Sequence, residues 1–205
     1  MTYRTTEKSR QKKDAKRTAM MKAAVRVFAE KGYYAATVRD IVRDADVAIG
    51  TFYFYFPDKE SLFVHLYEET ADFLLQALEQ ALRSRDALPH QILKGIQAYM
   101  NIALYEPAVV QLLLVGGVGA VPSLTARRTE FRERLTLLWQ RPLESAVMNG
   151  SIPKQNTRRA AESFAGAFDE VILNLLAHNE PDVEAETAVQ EMALFALRAV
   201  AYTGS

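Results

Sequence analysis

Seven cationic side chains, Arg4, Lys8, Arg10, Lys12, Lys13, Lys16 and Arg17, crowd into fourteen positions near the amino end, with only Glu7 and Asp14 opposing them. Such a cluster either meets a polyanion, nucleic acid first among them, or forms a solvated basic tail. Charge along the chain is uneven: 25 Lys+Arg cancel 25 Asp+Glu overall, yet residues 1–60 hold 13 cations against 8 anions and residues 61–205 hold 12 against 17. The amino-terminal segment therefore attracts an anionic partner. Catalytic chemistry has little to build on. His65, His90 and His178 stand far apart in no metal-ligating spacing, and no G-x-S-x-G, P-loop or H-E-x-x-H pattern occurs. Gly117-Val118-Gly119 continues to Pro122 where a dinucleotide fingerprint needs Gly or Ala, and no strand precedes it. With no cysteine, disulfides, thiolate zinc sites, iron–sulfur clusters and a cysteine nucleophile are excluded, and a reducing cytoplasm suits the chain. The expectation is a protein that is not an enzyme and carries no metal or other cofactor.

The elements that must position these cations read as helix almost throughout. A chain of 205 residues, 49% hydrophobic and 24% charged, with 9 Gly and 7 Pro, can bury a core and is neither disordered nor low-complexity. Nothing at the amino end reads as a secretory signal. The uncharged stretch 107–126 is broken by Gln111, Gly116, Gly117, Gly119 and Pro122, so two buried helical pieces joined by a Gly-rich turn fit better than a membrane span.

Residues 14–30 set Ala19, Met20, Ala23, Ala24, Val27 and Phe28 on one helical face, with Gly32 as a stop signal. Thr37 N-caps a short helix carrying Val38, Ile41, Val42 and Ala45, with Asp40 at its third position, and Asp46 can take the left-handed backbone of a tight turn. The octet Ile49-Gly50-Thr51-Phe52-Tyr53-Phe54-Tyr55-Phe56 favours a strand by propensity, but a lone strand has no partner. As a helix it puts Phe52 and Phe56 on one inner face and spreads Gly50, Thr51, Tyr53, Phe54 and Tyr55 round the remainder. Asp58 caps a long helix to about residue 83, with Leu62, Phe63, Leu66, Phe73, Leu74, Ala77, Leu78 and Ala81 in helical register. Further helices are predicted at roughly 89–104, 107–116, 123–149, 155–179 and 182–202, separated by Pro, Gly and Asn signals. The fold class is all-α with about nine helices: a three-helix amino-terminal domain over 1–57 and a larger helical domain over 58–205.

Two short helices joined by Asp46-Val47-Ala48 meet the requirement of a helix-turn-helix, in which the second helix enters a major groove. At this point a resemblance can be read residue by residue. Ala23-Ala24-(x)3-Phe28-Ala29-Glu30-Lys31-Gly32-Tyr33, Thr37-Val38-(x)2-Ile41, Ala45-Asp46-Val47-(x)2-Gly50-Thr51-Phe52-Tyr53-(x)-Tyr55-Phe56 and Lys59-Glu60-(x)-Leu62 resemble the TetR family of transcriptional regulators over roughly residues 15–65. The resemblance implies a DNA-binding regulator, most simply a repressor, acting on a double-stranded operator. It implies that Thr51, Tyr53, Tyr55 and Lys59 contact phosphate, with Thr37 and Arg39 doing so at the start of the first short helix. Base reading falls to Ile49, Phe54 and Arg39, with Arg43 a further candidate, through thymine-methyl contact or Arg to guanine. For Tyr53 and Tyr55, simple packing is the alternative. Gly50 allows close approach to the duplex. Three positions depart from the family pattern: Asp46 stands for the usual turn Gly, Val42 for Ala, and Ala48 opens the recognition helix at the DNA face without the hydroxyl often found there.

The same resemblance implies a homodimer through the helices at about 155–179 and 182–202. Apolar faces are available in Phe164, Ala165, Ala167, Phe168, Val171, Ile172 and Leu175 with Ala188, Val189, Met192, Phe195, Ala196 and Ala199, an ordinary monomer core being the alternative. It also implies a small-molecule effector, apolar or amphipathic. Ile96, Tyr99, Met100, Ala103, Leu135, Trp139, Phe164 and Phe168 are candidate lining, and Asn101, Arg128, Arg132, Asn174 or His178 candidate anchors, though each serves equally as plain core. A helical scaffold that binds only protein, without DNA activity and with no membrane role, is the rival reading; it leaves the basic amino end unexplained.

Overall fold

Every predicted helix is present among the described residues, which in this computed structural model are 3–83, 86–116, 119, 121–177 and 181–204, the side chains of 3–13 and 181–183 excepted. The basic side chains of Arg4, Lys8, Arg10, Lys12 and Lys13, the Gly117-Val118 pair and His178 lie outside them. In chain order the elements are α1 (Tyr3–Ala35), α2 (Val38–Asp44), α3 (Ile49–Tyr55), α4 (Lys59–Leu82), α5 (Leu88–Tyr105), α6 (Pro107–Leu114), α7 (Leu124–Met148), α8 (Thr157–Leu176) and α9 (Pro181–Ala199). α1 begins well before residue 14, and Gly32 interrupts it with φ 72°, a left-handed backbone that glycine adopts without a Cβ penalty. Among the described residues no helix is long and apolar enough to cross a membrane.

Packing divides the chain into two compact units, Met1–Thr70 with Gln111–Thr125, and Ala71–Val110 with Ala126–Ser205. A boundary after residue 57, expected from the sequence, falls inside the first of these units. Pro57-Asp58 is only the turn into α4, where Asp58 Oδ1 accepts from the Ser61 N–H at 2.7 Å, and 111–125 joins the first unit, where Ser123 Oγ donates to Glu60 Oε1 at 2.5 Å.

In the first unit the octet is helical because its inner face has a core to fill. Phe52 is fully buried and Phe56, just past the helix end, is buried beside it, ring centroids 5.8 Å apart. Met20, Ala23, Ala24, Val27 and Phe28 of α1, Ile41 and Val42 of α2, and Leu62 and Phe63 of α4 complete that core, with Phe28 edge-on to Phe63 at 4.8 Å. α2 is capped as its spacing requires: the Asp40 N–H donates to Thr37 Oγ1 at 3.1 Å and the Thr37 N–H to Asp40 Oδ2 at 3.1 Å. The turn closes through the Val47 N–H to the Val42 carbonyl at 3.0 Å, with Asp46 at φ 51°, the left-handed conformation that Asp tolerates. Arg26 to Asp44 (2.6 Å) and Lys31 to Asp40 (2.9 Å) tie α1 to α2, and Arg17 of α1 reaches His65 and Glu69 of α4.

One member of the α4 register departs from expectation. Phe73 is 55% exposed, because it shares the face of Glu69, Asp72, Gln76 and Gln80 while the buried stripe runs through Leu66, Thr70, Leu74 and Leu78.

In the second unit α5 packs against α8 and α9. Ile96, Tyr99, Met100, Ala103, Leu135, Trp139, Phe164 and Phe168 are all buried, none more than 1% exposed, and three of their rings meet. Trp139 stands edge-on to Phe168 at 5.1 Å, and Phe164 stacks on Phe168 at 5.6 Å. Tyr99 Oη donates to Asp169 Oδ1 at 2.7 Å, and Arg132 donates to the other oxygen. Burial pushes the Asp169 carboxyl above its usual range, against the opposing pull of Arg132 and Tyr99. The apolar faces named on α8 and α9 need a correction. Phe164, Ala165, Phe168, Ile172, Leu175, Val189, Met192 and Ala196 are core of the single chain, whereas Val171, Leu194, Phe195 and Ala199 face outward. Helices of this kind bury one stripe against their own neighbours first, and only the second stripe is left for a partner.

Two measurements test this packing. Lys31 and Thr37 hold the Asp40 carboxyl well below the usual carboxylate range, so its stabilisation is present above the ordinary Asp pKa of about 4 and is lost as pH falls through its lowered value. Thermal unfolding followed by circular dichroism should show Asp40→Asn less stable than wild type at neutral pH, with the gap closing as the solution is acidified. At Gly95 a Cβ would lie 2.7 Å from Trp139 Cη2 and 2.9 Å from Leu82 Cδ2. Gly95→Ala should therefore lower Tm, overpacking of about 1–3 kcal/mol outweighing the roughly 1 kcal/mol gained in helix propensity.

Candidate nucleic-acid interface

Seven residues make α3, and its 3.6-residue turn sorts them into arcs. Phe52 points inward. Gly50 and Phe54 lie on the opposite side and Ile49 and Tyr53 on one flank, Ile49 45%, Tyr53 55% and Phe54 67% exposed. Thr51 and Tyr55 lie on the other flank, half-buried, and the Tyr53 ring, although exposed, stands edge-on to Phe52 at 5.4 Å, so both tyrosines pack in part. Ala48 precedes the helix in extended backbone, exposed and offering no side-chain cap. A Cβ at Gly50 would meet nothing within 4 Å. The protein's own packing therefore makes no demand for glycine here; the space opens outward, between Ile49 and Tyr53 on one side and Phe54 on the other.

α2 packs against α3 and brings three further residues, whose chemistry is organised by a carboxylate that sequence reasoning treated only as a cap. Asp40 Oδ1 accepts from Lys31 Nζ and from Arg43 Nη2, each at 2.9 Å, while Oδ2 accepts from Thr37 Oγ1 at 2.7 Å. The hydroxyl of Thr37, on a residue exposed at the start of α2, is thus engaged by Asp40. Arg43 stays 75% exposed along its side chain although tethered to Asp40. Arg39 is exposed. The signal for this hub was the Thr37/Asp40 capping-box spacing; what the spacing could not convey is that Lys31 of α1 and Arg43 meet on the same oxygen.

Lys59 is held by the backbone of α1. Its ammonium donates to the carbonyls of Tyr33 (2.6 Å), Ala36 (2.8 Å) and Tyr34 (3.4 Å), and lies 4.3 Å from the centre of the Tyr33 ring. An ammonium has three protons, and all three are directed to the carbonyl-rich end of α1. Burial lowers the Lys59 pKa from its ordinary value. In this arrangement Lys59 fastens the start of α4 to the end of α1. The remaining nine predicted residues, Arg39, Arg43, Ala48, Ile49, Gly50, Thr51, Tyr53, Phe54 and Tyr55, all sit on α2, on α3 or at its entrance, in one compact unit.

Comparison with known proteins agrees with this geometry. The sequence model described as "Bacterial regulatory proteins, tetR family" matches residues 20–66, the span that contains α2, α3 and the turn between them. The HTH-type transcriptional repressor KstR2 of Rhodococcus jostii (strain RHA1) is 31% identical over 147 residues, 68% of this chain and 69% of the relative. Among solved structures, a bacterial regulatory protein in the tetR family from Rhodococcus RHA1 superposes with a TM-score of 0.76, at 23% identity over 92% of this chain and 98% of that one. The transcriptional regulator FadR from Bacillus subtilis in complex with stearoyl-CoA does so with a TM-score of 0.74, at 19% identity over 86% and 97% of the two chains. At those identities the two structures speak for the fold alone. A helix-turn-helix with an outward-facing recognition helix, matched by the family's sequence model and by a relative of this likeness, places the chain in the TetR family of bacterial regulators, and it is a DNA-binding transcriptional regulator, not an enzyme.

Proposed function

We propose that the protein is a cytoplasmic repressor that binds a pseudo-palindromic operator as a homodimer and is released by a small apolar or amphipathic effector. The observation that carries the DNA half of this reading is the outward surface of α3, three large side chains and a glycine presented to solvent by a helix that Phe52 anchors in the core. Three exposed apolar or aromatic side chains in one turn and a half of helix are a cost in water that contact with a partner removes. Tyr53 contacts phosphate, Thr51 and Tyr55 support it from the flanks, and Arg39 and Arg43 stand beside the groove as further readers.

The dimer interface we assign to α8 and α9, through the outward stripe of Val171, Leu194, Phe195 and Ala199. Charged neighbours Glu191 and Arg198 border it. A two-fold axis there places the two recognition helices about one DNA turn, roughly 34–36 Å, apart. The effector reading rests on the aromatic core of the second unit and on relatives' names. One relative is a fatty acid metabolism regulator protein of Bacillus subtilis, and the FadR structure holds stearoyl-CoA. The candidate lining is closed in this chain, so an effector enters by prying α5, α7 and α8 apart. It then finds rings, aliphatic groups and the Trp139 indole N–H, which is buried without an acceptor. Such a ligand weakens DNA binding because it binds one of two arrangements of the dimer more tightly than the other.

A mobility shift against the DNA upstream of the protein's own coding region tests this. Retardation should fall steeply as salt rises, through counterion release. Stearoyl-CoA should abolish the shifted band and change the emission of Trp139, the one tryptophan of the chain, whereas free coenzyme A should do neither. The role of Lys59 separates in the same assay. Lys59→Arg keeps a cation for phosphate, but its planar fork cannot aim three protons at three converging carbonyls. Lys59→Arg and Lys59→Met should therefore both lower Tm and operator affinity, by about 1–3 kcal/mol in stability. Wild-type affinity in Lys59→Arg would speak for the phosphate role.

A further inference from the structure

The seven side chains of α3, Ile-Gly-Thr-Phe-Tyr-Phe-Tyr, include no amide, carboxylate or cation. Two-point recognition of guanine needs Arg or Lys, that of adenine needs Asn or Gln, and cytosine is read by Asp or Glu through its amino group. None of these pairings is available from the helix that enters the groove. What α3 does offer to solvent is apolar surface, at two places set apart by Gly50: Ile49, with Tyr53 beside it, and Phe54. The one large apolar feature on any base edge in the major groove is the thymine 5-methyl. On α2, Arg43 shares one N–H with Asp40 at 2.9 Å and is otherwise exposed, and Arg39 is exposed beside it, so α2 supplies the guanine readers.

We propose that this regulator discriminates its operator through thymine methyl groups touched by Ile49 and Phe54, with two-point hydrogen-bonded base recognition confined to α2 and the α3 hydroxyls of Thr51, Tyr53 and Tyr55 turned to phosphate. The inference rests on the reading of α3 as the groove-entering helix and adds to it what that helix recognises. Each methyl is covered on one side by an apolar side chain that already stands in water, so both surfaces lose solvent on contact. A hydrogen-bonding base edge in the same position would lose water without gaining a partner. Half-sites should accordingly carry thymines spaced to meet two contacts lying on either side of the glycine gap.

The test changes one methyl at a time. Duplexes enriched from a randomised pool by the full-length protein define the half-site, and each half-site thymine is then replaced by deoxyuridine, which keeps every hydrogen-bonding atom and removes only the methyl. Every contacted methyl should cost about fourfold in affinity, the transfer value of roughly 0.8 kcal/mol for a group of that size. The cost should vanish for one methyl in Phe54→Ala and for another in Ile49→Ala, the signature of a direct pair in a double-mutant cycle. Both side chains are exposed, so thermal unfolding of the two variants should match wild type. Deoxyuridine without effect at every position, together with a large loss on 7-deazaguanine substitution, would overturn the inference in favour of arginine readout. A pool that yields no enriched duplex, although the protein retards DNA, would overturn the α3 reading itself.

Discussion

Phe52 is the contact on which the DNA-binding unit depends. A seven-residue helix is far too short to persist in water on its own, since nucleation costs more than so few hydrogen bonds return. It exists because one side chain, fully buried, is locked into a core built by α1, α2 and α4, with Phe56 closing the turn after the helix. Anchoring at that single azimuth determines the rest. Stepping round the axis from Phe52 places Gly50 and Phe54 directly opposite it, towards solvent, while Ile49 and Tyr53 are exposed along one flank. The recognition surface is thus the geometric complement of the hydrophobic core.

Polar groups hold the frame around that anchor, and they do so by concentrating charge on few atoms. Asp40 gathers Thr37, Lys31 and Arg43, so that the start of α2, the end of α1 and one exposed arginine share a carboxylate. Lys59 performs the converse task, collecting three carbonyls with one ammonium. Exposed ion pairs such as Arg26 with Asp44 add little by comparison, because solvent screens them. The Asp40 hub ties α2 to α1 before α3, and the Lys59 hub ties the start of α4 after it to the end of α1, so the helix between is held from both sides.

Much of the fold was legible because helical periodicity, caps and breakers are local. Thr37 with Asp40, Asp46 in its left-handed turn, Asp58 and Gly32 all behave as their neighbours in the chain dictate. The errors have a common form. Type and spacing place Phe73 inside, yet a long amphipathic helix offers overlapping registers, and only its packing chooses among them. Pattern likewise offers Phe164, Phe168, Ile172 and Met192 to a partner, because an apolar stripe reads the same whether the surface it meets belongs to the same chain or to another.

By itself, then, the order of amino acids determined that this chain is helical, where most helices begin and end, that its amino-terminal end is cationic, and that an aromatic octet follows a tight turn after a capped helix. Those properties depend on neighbours within about one helical turn, or on composition. Tertiary structure alone decided which face of the octet is buried, that Lys59 donates to carbonyls at the end of α1, that Asp40 is a shared hub, and that the aromatic side chains of α7 and α8 meet. Each of these is settled by atoms far apart in the chain competing for the same space or the same proton, and pattern along a sequence carries no record of which competitor wins.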